Sequence, residues 1–366
     1  MKRCLQITAS LRIGGAEKVA RDIGIKARQM GYEVDYLLFG DEVCGYEREL
    51  EDLGCRMVHI PSPSENYRHY FETLKRLMRE NDYSVVHAHT MFNCGWAMLA
   101  AKQCGVPIRI AHAHSALNNG RSVKKSSYEQ LMRGLILRNA TDLVACGDAA
   151  GIRLFGRKAY EKAGKKILNG INVDQFSYSE QARNRIREEL QIRDAFVIGH
   201  VGHLAQVKNQ AYLIRLMPQI IERKPNAVLL LLGEGEDRVM LEQMIRDEKL
   251  EDRVIMTGNV GNVQDYLSAM DVFAFPSLFE GMPLSIVEVQ ANGLPCVIST
   301  GVPGDVFLTD LLKPLPLDQI AKWVEEICRA KREESWKYVV EMKSYGLDLE
   351  ETLGEYLAIY SFAVNK

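Results

Sequence analysis

The sequence predicts an α/β protein made of two doubly wound domains facing each other across a cleft. Three observations carry this expectation. At roughly 150 residues per domain, 366 residues make two domains, each large enough for a core of its own. Near-continuous apolar strands alternate with amphipathic helices, the pattern of parallel sheets covered on both faces. The alternation pauses once, over the charged stretch SEQARNRIREELQIRD, and then restarts.

The elements follow in order. Residues 3–9 read as a strand. Ala16, Val19, Ala20, Ile23, Ala27 and Met30 then recur at helical spacing, Gly31 stops the helix, and VDYLLFG returns as a strand. Further strands are expected at 55–60, 84–89 and 107–113, with helices near 68–80 and 92–104. After the pause, strands are expected at 196–202, 227–233, 253–258, 271–277 and 295–300, and helices near 209–222, 236–249, 262–270 and 284–293. The expected division is a first domain over 1–172, a connection over 173–195, a second domain over 196–335, and a helical segment, 336–366, that packs back on the first domain.

Composition excludes several classes. With 47% apolar and 26% charged residues the chain is neither disordered nor low in complexity. Eight cysteines without a C-x-x-C pair point to a reducing cytoplasm. The longest aliphatic run, Val228 to Leu232, is far short of the ~20 residues of a membrane span, and the start, MKRCLQITAS, does not read as a signal peptide. A net charge of −2 removes any bulk-charge argument for nucleic-acid binding. Charge is uneven, however. Between residues 102 and 166, 13 lysines and arginines, Lys124 and Lys125 among them, face four acidic residues. Such a stretch suits an acidic acceptor or an anionic leaflet, or is a solvated basic face.

The segment 276–295, PSLFEGMPLSIVEVQANGLP, is the richest in chemistry. A strand ends at Phe275-Pro276, a loop carries Glu280 and Gly281, and Pro283 suits the first turn of a helix that stops at Gly293. Backbone N–H groups around Met282 to Ser285 would then face the cleft, where a helix N-terminus can hold a phosphate. Glu280 and Glu288 would repel a bare phosphate, so their natural partners are sugar and ribose hydroxyls.

With these residues the chain resembles the retaining glycosyltransferases known as glycosyl transferases group 1 (glycosyltransferase family 4), most strongly over 196–300. The resemblance implies two Rossmann-like doubly wound domains facing across a cleft (GT-B). It implies Glu280 against the donor sugar, Glu288 on the nucleotide ribose, and Gly281, Met282, Pro283 and Leu284 on the diphosphate through their backbone. In VGHLAQVKNQ, 201–210, Lys208 falls on the family lysine that neutralises the diphosphate, while His203 replaces the family arginine. Histidine is cationic only when protonated, so His203 is expected to help below its site pKa; the other reading is a strand-end histidine with a local hydrogen bond.

In LRIGGAEKV, 11–19, Gly14 and Gly15 allow close approach to a donor phosphate or sugar from the acceptor side. Two His-x-His pairs, His87/His89 and His112/His114, lie near strand ends; no metal site is expected from them. By the resemblance His112 or His114 contacts the donor sugar and acceptor, with His114 favoured as nearer the strand end, and either also fits a hydrogen-bonded packing role.

The implied reaction is metal-independent transfer of a sugar, with retention, from a nucleotide-diphosphate sugar (a UDP-sugar above all) to a saccharide or lipid-linked acceptor in capsule or exopolysaccharide synthesis. No cofactor is expected, since the nucleotide sugar is a substrate, nor any nucleic-acid partner. The protein is expected in the cytoplasm, with peripheral attachment to the inner leaflet. A nucleotide-sugar epimerase of the same fold and a non-catalytic nucleotide-sugar-binding subunit remain as alternatives.

Overall fold

A computed structural model describes residues 2–12, 14–41, 43, 45–115, 123–332 and 336–361, except for the side chains of 123–126. The chain divides into two compact units, Met1–Gly170 with Glu350–Lys366, and Ile171–Leu349.

The first unit runs β1 (Lys2–Ile7), α1 (Gly15–Gln29), β2 (Tyr32–Phe39), α2 (Glu47–Asp52), β3 (Arg56–Ile60), α3 (Tyr67–Asn81), β4 (Val85–Ala88), α4 (Cys94–Gln103), β5 (Ile108–Ala113), α5 (Val123–Asn139), β6 (Asp142–Ala145), α6 (Asp148–Phe155), α7 (Arg157–Ala163) and β7 (Gly164–Lys166). Its seven strands are all parallel, in the order β3-β2-β1-β4-β5-β6-β7. Helix α1 forms because Val19, Ala20, Ile23 and Ala27 make one apolar stripe that the sheet buries. Helix α3 is capped by Asn66, whose side chain accepts from the His69 N–H.

The second unit runs α8 (Glu180–Glu189), β8 (Phe196–Val201), α9 (Gln210–Arg223), β9 (Ala227–Leu232), α10 (Arg238–Asp247), β10 (Val254–Gly258), α11 (Val263–Ala269), β11 (Val272–Phe275), α12 (Leu284–Ala291), β12 (Cys296–Ser299), β13 (Leu312–Leu315), α13 (Ile320–Arg329) and α14 (Trp336–Ser344). Its six strands are parallel, in the order β10-β9-β8-β11-β12-β13. Strand β9 is buried along its whole length, as its unbroken aliphatic run requires. Leu229, Leu231, Leu213, Met217, Trp323 and Ile327 pack in the core between sheet and helices.

The stretch 173–195, read as a connection, carries α8 within the second unit. Ser179 caps this helix, Ala182 and Ile186 are buried, and Arg183 and Arg187 both pair with Asp271 at 2.6 and 2.7 Å. The same two arginines donate to the carbonyls that end α11. The final segment is divided: α14 belongs to the second unit, while α15 (Leu349–Ser361), from Glu350 on, belongs to the first. Residues 362–366 of that segment lie outside the described residues.

The basic stretch 102–166 folds as β5 to β7, and each of its four acidic residues pairs with a base: Glu129 with Arg153, Asp142 with Lys165, Asp148 with Lys166 and Glu161 with Arg157. Arg109 and Arg133 are bonded to backbone carbonyls. The side chains of Lys124 and Lys125 lie outside the described residues. Among the described residues no helix is long and apolar enough to cross a membrane.

Candidate functional site

In both units the first strand has its sequence successor on one side and a later strand on the other. Connections leave in opposite directions there, and the crevice at the carboxyl ends is where such sheets take ligands. In the second unit this switch point lies between β8 and β11.

Lys208 comes from the loop after β8 and Glu280 from the loop after β11, and they meet: Nζ donates to Oε1 at 2.7 Å. The backbone enforces the meeting. The Leu278 N–H donates to the Val207 carbonyl at 2.8 Å, and the Asn209 amide donates to the Pro276 carbonyl at 3.2 Å. Asn209 itself is left-handed, with φ 56°, a conformation asparagine tolerates better than most residues. The Glu280 N–H donates to the Gly301 carbonyl at 3.2 Å, which ties the loop after β12 into the same cluster. The Lys208 ammonium also lies 5.1 Å from the Phe275 ring centroid, a cation–π contact at the end of β11.

Glu280 leads through Gly281 and Met282 to Pro283, the N-cap of α12. Its first turn holds no acidic residue, and although the Ile286 N–H donates to the Pro283 carbonyl at 3.1 Å, the N–H groups of Leu284 and Ser285 have no preceding turn to bond to, so the end of α12 favours negative charge. Glu288 sits one turn further along and is 9% exposed. Lys208 and Glu280 are thus brought together, with Gly281 to Leu284 following directly in the chain.

His203 stands outside that ion pair and makes one of its own. It is exposed, and its Nε2 lies 2.7 Å from Glu236 in the loop after β9. Glu236 is held below the usual carboxylate range by its own backbone N–H and by His203. The loops holding this pair touch backbone to backbone at glycines: a Cβ on Gly235 would lie 2.2 Å from the Leu204 carbonyl oxygen, and one on Gly233 2.1 Å from that of Gly202. Sequence reasoning missed this GEGE segment, although two glycines directly after a buried strand signal close approach. Beneath it, buried His200 bonds the Ala274 carbonyl at 2.9 Å, and burial lowers its pKa to about 4.

In the first unit, Gly14 is the N-cap of α1 and Gly15 its first residue. A Cβ on Gly14 would lie 2.5 Å from a Glu17 carboxylate oxygen, so that side chain folds back over the helix start. Burial raises the Glu17 pKa.

The four histidines of the two His-x-His pairs gather along β4 and β5, on the β4 side of the β1/β4 switch point. His87 stacks on His89 with centroids 4.2 Å apart, and His112 lies over His114 at 3.9 Å. His87 Nε2 lies 3.2 Å from His112 Nδ1, and His89 Nδ1 lies 2.8 Å from His114 Nε2. Burial pushes His87 and His114 down to about 3, and His89 and His112 well below the usual range. Donor atoms of His87, His89 and His112 lie within 4.8 Å of one another, near enough to suggest a metal site. Each of their ring nitrogens is instead engaged in a hydrogen bond, to Tyr360, His112, His114, Gln6 or Tyr356. The cluster is a hydrogen-bonded imidazole stack. Sequence reasoning missed Gln6 and Tyr360; a glutamine within the apolar strand β1 was the available signal.

Two parallel doubly wound units, the second with a lysine and a glutamate at its switch point, define a glycosyltransferase of the GT-B type. Residues 13–175 match the family described as Glycosyltransferase Family 4, and residues 182–306 that described as Glycosyl transferases group 1. "Putative glycosyltransferase EpsF" of Bacillus subtilis (strain 168) is 33% identical over 100% of this chain and 98% of its own length. The chain belongs to this glycosyltransferase family. It is also 29% identical, over 62% of its length and 60% of the relative's, to the UDP-Gal:alpha-D-GlcNAc-diphosphoundecaprenol alpha-1,3-galactosyltransferase of Escherichia coli. In fold it is similar to Anabaena Alr3699/HepE, solved in complex with UDP-glucose: TM-score 0.79 and 22% identity over 98% of this chain and 100% of that one.

Proposed function

We propose that the protein transfers a sugar from a UDP-sugar to a hydroxyl of a saccharide or lipid-linked saccharide acceptor, with retention at the anomeric carbon, in the synthesis of capsular or extracellular polysaccharide. The observation that carries this reading is the Lys208–Glu280 pair at the β8/β11 switch point. When the glycosidic bond breaks, negative charge grows on the departing diphosphate. A fixed ammonium and the amide dipoles of a helix start lower the barrier because both are oriented before the charge appears.

In this reading Lys208 and the backbone from Gly281 to Leu284 hold the diphosphate, Glu280 accepts from the donor sugar, and Glu288 accepts from the ribose. His203 adds charge when protonated. In the first unit Gly14, Gly15 and His114 are the contacts to sugar and acceptor. The donor and acceptor named for the E. coli relative support the substrate classes, as does the UDP-glucose held by HepE. The cysteines without a C-x-x-C pair support a cytoplasmic enzyme, and the basic stretch 102–166 supports its peripheral attachment to an anionic leaflet.

The test is a thermal-shift screen of UDP and UDP-sugars, followed by a UDP-release assay with a polyprenyl-diphosphate-linked sugar. A ligand that binds only the folded state must raise its melting temperature. Transfer that disappears in Glu280→Ala supports the reading. Isomerised sugar from donor alone would point to the epimerase, and nucleotide binding without turnover to a binding subunit.

A further inference from the structure

The imidazole stack has a single origin. Gln6, fully buried on β1, touches both of its chains through the two ends of one amide. Gln6 Oε1 lies 2.8 Å from His89 Nε2, and Gln6 Nε2 donates to the Tyr360 hydroxyl at 2.8 Å. An amide oxygen only accepts, so His89 Nε2 must carry hydrogen. A neutral imidazole has one N–H, which leaves His89 Nδ1 bare. That atom therefore accepts from His114 Nε2–H at 2.8 Å, and His114 Nδ1 is bare in its turn.

The second chain runs in the same sense. The Tyr360 hydroxyl accepts from Gln6 and donates to His87 Nδ1 at 2.9 Å. His87 Nε2–H then donates to His112 Nδ1 at 3.2 Å, and His112 Nε2–H points to the Tyr356 hydroxyl at 3.4 Å. Tyr356 and Tyr360 are both on α15, so this last helix closes the network. Each ring of this second chain finds a partner for both nitrogens. The exception is in the first chain: His114 Nδ1 is buried and, among the described residues, has no hydrogen-bond partner. An orphaned buried acceptor costs stability unless something else provides its donor. His89 and His114 both lie just beyond the carboxyl ends of β4 and β5, the side of a doubly wound sheet where ligands are held.

We propose that Gln6, acting through His89, is a positioning residue that fixes His114 as the Nε2–H tautomer, so that Nδ1 is presented as a hydrogen-bond acceptor to a substrate hydroxyl. This rests on the reading of His114 as a substrate contact. Neither Gln6 nor His89 touches substrate. Their part is to remove the alternative tautomer, in which His114 Nδ1 would be a donor and a hydroxyl could not give it a proton.

The experiment is long-range proton–nitrogen correlation NMR on the full chain labelled with 15N-histidine, which reads the tautomer of each ring. Wild type is expected to show His114 with Nδ1 bare and Nε2 protonated. In Gln6→Met the acceptor is gone, the His89 proton moves to Nδ1, and His114 flips to the Nδ1–H form. In Gln6→Glu a carboxylate oxygen still accepts from His89, so His114 keeps the wild-type tautomer. Turnover is expected to fall at least about tenfold in kcat in Gln6→Met, with smaller change in donor KM, and to be rescued in Gln6→Glu, the size of one lost hydrogen bond. A wild-type spectrum with hydrogen on His114 Nδ1 overturns the proposal even if no variant folds, as does an unchanged His114 tautomer in a folded Gln6→Met. The spectra need no transfer activity. If His114→Ala abolishes transfer while the tautomer ignores Gln6, the functional reading stands and this inference fails. If no transfer is found at all, the spectra still decide it.

Discussion

Lys208 Nζ lies 2.7 Å from Glu280 Oε1, and the two side chains are only 19% and 10% exposed. A pair so shielded holds each charge in place for the other. Removing the cation leaves a carboxylate with poor access to water, which costs more than the pair's net worth. Lys208→Met is therefore expected to lose roughly 2 kcal/mol of stability and about 100- to 1,000-fold in kcat/KM, the scale of a lost transition-state donor. Glu280→Gln frees the ammonium for the diphosphate, so UDP is expected to bind as tightly as before or tighter while kcat falls. Urea melts, UDP titration and steady-state kinetics on both variants check this. Equal loss of UDP affinity in the two would contradict it.

Acid should unfold the protein through its buried histidines. Burial depresses His87 and His114 to about 3 and His200 to about 4, and pushes His89 and His112 well below the ordinary range. In the unfolded chain such groups titrate near ~6.5. Between those values the unfolded state binds more protons, so stability rises with pH. It is fully present above about pH 6.5 and is lost as pH falls toward 4, by up to roughly 1.4 kcal/mol per group and pH unit. Urea midpoints at pH 7.5, 6.5 and 5.5 are expected to fall slightly over the first step and more steeply over the second. A midpoint independent of pH down to 5 would show that the histidines are solvated.

Much of this was legible in the sequence because sheets buried on both faces write themselves as unbroken apolar runs; β9 is such a case. Lys208 and Glu280 were legible as separate residues. That they meet was not, since the meeting depends on a backbone bond from Leu278 to Val207. The stretch around α5 was hidden by its charge: Met132 and Ile136 face inward, but Leu131 and Leu137 are exposed, which blurs the helical stripe. Helix α8 looked like a connection because Arg183 and Arg187 spend their charge on Asp271, far away in sequence. The link from Gln6 to Tyr360 spans 354 residues, and only the oddity of an amide in a core strand hints at it.

His203 and Glu236 are exposed, so their pair contributes little to folding. His203→Ala is expected to leave the thermal midpoint unchanged. If His203 takes the part of an arginine toward the donor, the permanent cation of His203→Arg tightens UDP several-fold. Isothermal titration reads the effect. Unchanged affinity in His203→Arg would remove this residue from the donor site.

Gly235 lets the loop after β9 lie on the loop that carries His203 and Lys208. A methyl group there would sit 2.2 Å from the Leu204 carbonyl oxygen, a backbone atom that cannot step aside alone. Gly235→Ala is expected to cost about 1–3 kcal/mol, the usual penalty for overpacking, and to weaken UDP binding by moving the loop. Gly261→Ala, where a Cβ meets nothing within 4 Å, is the control and should stay within about 0.5 kcal/mol of the parent. Equal melting curves for the two variants would mean that the loops are not held in contact.

Gln290 fixes α12, the helix that carries Glu288, to the segment after β12. Its side chain is wholly buried. Nε2 donates to the Ile286 and Val306 carbonyls at 3.1 and 2.9 Å, and Oε1 accepts from the Leu308 and Thr309 N–H groups and the Thr309 hydroxyl at 3.2, 3.1 and 3.0 Å. Leucine fills a similar volume but answers none of these groups. Because 308 and 309 are half-buried, water can reach only part of what is abandoned, and the expected loss is about 2–4 kcal/mol. Gln290→Glu keeps the acceptor side, and its protonated carboxyl can still donate to one of the two carbonyls, so it should fall between parent and Gln290→Leu where that carboxyl is protonated and lose this advantage once it is ionised. If α12 positions the nucleotide, both variants raise the Kd for UDP in the same order as they lower the melting temperature. A large drop in melting temperature with an unaltered Kd would instead confine Gln290 to holding the fold.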